Sequence, residues 1–185
     1  MLRNTLEKWG SVAKALHWLV VLLVIGQFAL ASIAEDLPLG MQKIALLARH
    51  KSLGITILAL AAARVLWRLL NPTPAPPARS KAWERRLAGS VHVGLYASLF
   101  LLPLSGWMMS SARNFPVSWF GLVTLPDLVG ADPRRYELLH DVHEALATLL
   151  LAFAAAHVVG ALRHHFLQKD DVLRRMLPFT PLRRG

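Results

Sequence analysis

Apolar positions along the 185-residue chain gather into four long runs, at about residues 15–34, 46–70, 88–109 and 138–162. A bilayer core about 30 Å thick is crossed by roughly 20 mostly apolar helical residues, so each run predicts one transmembrane helix. The expected fold is therefore all-α, a single four-span integral membrane bundle. Lys8 and Lys14 precede the first run and Ala29-Leu30-Ala31 imitates a leader cleavage site. The run nevertheless continues to Ala34 and three more follow, which favours an uncleaved first helix. Between the second and third runs, Asn71-Pro72-Thr73-Pro74-Ala75-Pro76-Pro77 ends the helix, because proline offers no amide donor and disfavours helix in the residue before it. The segment from Ser110 to about Glu137 is the only long connection. Its Phe115, Trp119 and Phe120 suit the headgroup region, either as a lid lying on the membrane or as a cover over a site.

Composition removes several function classes. Hydrophobic residues make up 55% of the chain and charged residues 17%, well under the quarter or so of soluble domains. A net charge of +10 would suggest nucleic acid in a soluble protein, but here the cations lie beside apolar runs, where they set orientation. With each Lys and Arg inside a run assigned to the nearer connection, the segments hold three, three, six, three and six, so fifteen fall on the side of both termini and the central connection against six opposite. The positive-inside rule then expects a multi-pass protein of the bacterial inner membrane with both termini cytoplasmic. With no cysteine there is no disulfide, thiolate nucleophile, iron–sulfur cluster or covalent c-type haem, and metal chemistry must rest on His and oxygen ligands.

Histidine carries the chemistry. Of eight, His17, His50, His92, His143 and His157 fall inside the runs away from their extreme ends and spread over all four, while His140 sits near the start of the fourth. One such residue is ordinary core, but five imidazoles in hydrocarbon each need a partner. His143 and His157 are 14 residues apart, which leaves them about 40° from eclipsed and about 21 Å apart along a helix. The first helix enters from the cytoplasm with His17 at the depth of His157, and the second enters from outside with His50 at the depth of His143. Two facing pairs of imidazoles on opposing helices are the axial ligands of a b-type haem, and a doubly ligated iron favours electron transfer over oxygen binding. His92 lies at the depth of His17 and His157, and phase alone leaves it open as the ligand in place of His17. Arg64, 14 residues after His50, has the phase and depth of a propionate partner, whereas Arg68 suits snorkelling at a helix end. A zinc site at His140 and His143 with Asp141 and Glu144 is the weaker alternative.

The chain resembles the prokaryotic cytochrome b561 family over nearly its whole length. The resemblance is carried by Ala15-Leu16-His17-Trp18, His50 with Gly54 and Ile55, Arg64 to Pro74, Val142-His143-Glu144-Ala145-Leu146-Ala147, and His157 followed by His164-His165-Phe166 and Lys169-Asp170. It implies two haem b groups ligated by His17, His50, His143 and His157. His92 is then no ligand, with a propionate or quinone as its implied partner. It also implies electron exchange with membrane ubiquinone, and superoxide oxidation on the periplasmic side in some members. For superoxide a cationic funnel is needed near the outer haem. Lys51, beside His50, is the first candidate for a catalytic role there, ahead of Arg49, Arg113, Arg134 and Arg135. His164, about 20° from the face of His157, could hydrogen-bond a quinone, or with His165 and Arg163, Lys169, Arg174 and Arg175 simply form a basic tail on anionic lipid. The expected partners are lipid, ubiquinone, and superoxide or a periplasmic redox protein, with no nucleic acid. The rival readings are a haem-binding anchor for a dehydrogenase or hydrogenase, and, further off, a small transporter or metal carrier.

Overall fold

A computed structural model describes residues 1–77, 80–178 and 180. Four long helices contain the four apolar runs almost entirely: α1 (Ser11–Asp36), α2 (Met41–Leu69), α3 (Ala82–Ala112) and α4 (Pro133–Arg163). Each is long and apolar enough to cross a membrane. Their outward surface carries Leu22, Ile25, Leu151 and Val159, all more than half exposed, as expected where the surrounding solvent is lipid.

Local chemistry fixes where the helices begin. The Asp132 carboxylate accepts from the amides of Arg134 (2.9 Å) and Arg135 (3.3 Å), and Pro133 occupies the first turn, where its missing N–H costs nothing. Glu84 folds back onto the amide of Lys81 (2.9 Å) at the start of α3, and the same carboxylate meets Arg163 (2.8 Å) and Gln168 (3.2 Å), which ties α3 to the end of α4. Ahead of α1, Asn4 accepts from the amide of Gly10 (2.9 Å) and donates to the carbonyl of Pro72 (3.1 Å), joining the N-terminal turn to the proline-rich linker.

Packing runs α1 on α2, α2 on α3 and α3 on α4. Among the described residues, the main chain of α4 makes no comparable approach to α1 or α2. A small apolar core of Val20, Ile57, Ala61 and Leu99, with Leu23, Val24, Leu60 and Phe100 against it, joins α1, α2 and α3.

Two features lie outside the four expected spans. The long connection holds a hairpin, β1 (Ser118–Trp119) antiparallel to β2 (Val123–Thr124), with Ser118 opposite Thr124. Its three-residue loop, 120–122, is closed by the amide of Leu122 on the carbonyl of Trp119 (2.9 Å) and places Phe120 (φ 49°) and Gly121 (φ 74°) in the left-handed region. The hairpin is bolted to α2: Ser52 Oγ accepts from the amide of Phe120 (3.0 Å) and Trp119 Nε1 donates to Thr56 Oγ1 (3.1 Å). Beyond α4 the chain continues as a π-helical turn (His164–Gln168), reverses at Lys169 (φ 55°) and forms α5 (Val172–Met176). The end of α5 closes against α1, where Trp18 Nε1 donates to the carbonyl of Met176 and Lys14 Nζ to that of Leu177, both at 3.0 Å.

Candidate cofactor site

The bundle brings its buried imidazoles together in two tiers. At the end bearing the N-terminal turn and α5, the terminal tier, the rings of His17 (α1) and His157 (α4) have centres 6.2 Å apart and planes inclined at 62°. At the hairpin end, His50 (α2) and His143 (α4) stand 6.3 Å apart at 68°. These pairs bridge the gaps where the main chain of α4 stands off from α1 and α2. Metal–imidazole bonds of about 2.0 Å, with roughly 1.2 Å more from nitrogen to ring centre at each side, put two rings sharing one metal about 6.4 Å apart. Both spacings fit. His92 on α3 lies 5.1 Å from His157, about 1.3 Å less than that separation. Two rings per tier suit a metal whose other four ligands come from a macrocycle.

The surroundings of the tiers differ. Arg64 reaches the terminal tier, its Nη2 3.2 Å from His17 Nδ1 and its guanidinium 5.5 Å from the Tyr96 ring centre. A guanidinium only donates, so His17 Nδ1 accepts here. Trp18 sets its ring edge-on to His17 at 5.3 Å. In the hairpin tier, Ser105 Oγ lies 2.9 Å from His143 Nδ1, and a side chain on Gly106 would come within 3.1 Å of the same ring. The carbonyl of His50 accepts from Gln27 Nε2 (3.0 Å), and the His50 ring lies against the Gln27 backbone.

Lys51 is held beneath the outer connection, donating to Ser110 Oγ (3.1 Å) and the Pro116 carbonyl (3.2 Å), with the Phe115 ring centre 5.7 Å away. Its partners are neutral. Arg113 instead donates to Tyr136 Oη (2.8 Å) and covers that ring, and Arg135 binds the Gly130 carbonyl (2.9 Å). His140 turns toward Glu144 (3.6 Å) and Asp141 (3.9 Å) on the outer surface of α4, while His143 faces inward to His50. His164 is mostly buried, with Nδ1 2.6 Å from the Asp170 carboxylate, which orients the ring.

Sequence reasoning missed Ser105, Gly106, Gln27 and Asp170 as neighbours of the imidazoles. Asp170 had a signal, since it stands six residues from His164 across a helix end. For Ser105, Gly106 and Gln27 the signal was polar or small residues inside apolar runs, which is too common to point at a partner.

The sequence matches the family described as Prokaryotic cytochrome b561 over residues 8–179. It is similar to "Cytochrome b561 homolog 2" of Escherichia coli (strain K12), 34% identical over 94% of this chain and 93% of that protein. "Cytochrome b561 homolog 1" of the same organism is 30% identical, covering 94% and 98% of the two chains. "Probable superoxide oxidase CybB" of Yersinia pestis is 31% identical, covering 93% and 97%.

Proposed function

The chain belongs to the prokaryotic cytochrome b561 family, a bacterial membrane cytochrome b of electron transfer, and we propose that it carries two b haems in series between a periplasmic donor and membrane ubiquinone. The observation that carries this reading is the pair of imidazole separations, 6.2 and 6.3 Å, in two tiers of one bundle. His17 with His157, and His50 with His143, are the proposed axial ligands. The haem supplies a reversible one-electron couple, and the chain's part is to bind, orient and insulate it.

Each further residue has a role the geometry supports. A ligating His17 needs Nδ1 protonated, so Arg64 then has to release that nitrogen, and a propionate carboxylate within its reach suits a guanidinium better than an imidazole does. His92, beside His157, is the second proposed propionate contact. Val20, Ile57, Ala61 and Leu99 exclude water between the tiers. On the terminal face, taken as cytoplasmic from the bias of Lys and Arg, His164 held by Asp170 is the proposed hydrogen-bonding group for a quinone headgroup. On the hairpin face Lys51 is the proposed attractor of a small anionic donor. One of the relatives is named a superoxide oxidase, and superoxide is the donor proposed here. Two superoxide ions oxidised to dioxygen release the two electrons that, with two protons, convert quinone to quinol.

Haem quantification with reduced-minus-oxidised spectra tests the ligand set. Wild type is expected to hold two haems per chain, and His50→Ala and His157→Ala about one each. Unchanged haem in either variant removes that histidine from the set.

A further inference from the structure

α3 donates no imidazole to either proposed metal position, yet one of its turns is shaped around His143. Ser105 is 6% exposed. Its Oγ is 2.9 Å from His143 Nδ1 and also 2.9 Å from the Leu102 carbonyl one turn back. A hydroxyl has one proton. If that proton goes to the Leu102 carbonyl, Oγ can only accept at His143, which fixes the proton of the ring on Nδ1 and leaves Nε2 bare. The neighbouring residue is Gly106, where a Cβ would lie 3.1 Å from His143 Cε1 and 3.4 Å from Nδ1, so the missing side chain is what lets the ring lie against α3. Pro103 stands between Leu102 and these two residues. By contrast, His17 Nδ1 faces a donor, the Arg64 guanidinium.

We propose that Ser105 and Gly106 are positioning residues for the outer haem, setting the tautomer, ring orientation and donor strength of His143. This rests on the bis-imidazole reading above. An N–H that donates away from a metal-bound imidazole raises ligand basicity and favours the oxidised metal. The Leu102 carbonyl also lies beside the His143 ring, so it is loss of the Ser105 oxygen in particular that raises the reduction potential of that haem alone and weakens its retention by about 10- to 100-fold.

The test is a potentiometric titration, with electron paramagnetic resonance of the oxidised protein, on wild type, Ser105→Ala, Ser105→Thr and Gly106→Ala. The outer haem is identified as the signal lost in His50→Ala. In Ser105→Ala that signal is expected to shift to higher potential while the other stays in place, and Ser105→Thr, whose hydroxyl also bonds the preceding turn, is expected to restore it. Gly106→Ala keeps the hydroxyl but turns the ring, moving the resonance of the outer haem. Two haems in wild type with no selective change in Ser105→Ala or in Gly106→Ala overturns the proposal and leaves the ligand set standing. Fewer than two bis-imidazole haems in wild type overturns the ligand set itself.

Discussion

At the scale of single residues, Lys51 is drawn under the outer connection by neutral acceptors, one residue from His50. A cation without a carboxylate partner keeps its attraction for a small anion, and such steering is worth from tenfold upward in association rate and weakens with salt. Lys51→Met is expected to slow haem reduction by superoxide by about tenfold and to flatten its salt dependence, with Lys51→Arg close to wild type, when superoxide is generated on the hairpin side of sealed vesicles. An unchanged rate in Lys51→Met would remove the residue from the donor site. What was legible at this scale follows from cost. A buried imidazole is expensive enough to stand out from the apolar letters around it, and helix direction with depth places His17 opposite His157 and His50 opposite His143. The finer neighbours were not legible, because Ser105 or Gln27 reads the same whether it faces a ring or its own helix backbone.

At the scale of elements, the four long helices were legible because unbroken apolar runs have no stable form in lipid other than a helix or a closed barrel. The hairpin was not. Two-residue strands carry no alternation to read, and its turn places Phe120, a side chain that rarely adopts positive φ, where Asn or Asp is usual. Tertiary bonds hold it. The Ser52 hydroxyl takes the amide of Phe120 and lies within bonding distance of the carbonyls of Ala48 (2.9 Å) and Ser118 (3.1 Å). Since each hydrogen bond contributes about 1 kcal/mol net, Ser52→Ala is expected to lower stability by about 1–3 kcal/mol and to speed amide exchange selectively over residues 118–124, read by hydrogen-exchange mass spectrometry. Unaltered exchange there would show that the hairpin stays on α2 without the serine. The π-helical turn and α5 escaped prediction for a similar reason. They are set by Asp170 on His164 and by α1 donors on the carbonyls of Met176 and Leu177, and none of these contacts leaves a periodic trace.

At the scale of the whole molecule, the arrangement is a chain of polar tiers separated by an apolar layer. The terminal tier lies under α5 and the linker, the hairpin tier under the outer connection, and Val20, Ile57, Ala61 and Leu99 lie in the core of α1, α2 and α3. α4 supplies one imidazole to each tier, and its 14-residue interval sets their separation at about 21 Å along the axis. That interval makes the central claim measurable. Anomalous diffraction at the iron edge from crystals of the purified holoprotein is expected to show two iron peaks per chain, one between His17 and His157 and one between His50 and His143, roughly 20 Å apart along the bundle. A single peak would contradict the two-haem account, and an iron bound through His92 in place of His17 would contradict its ligand set.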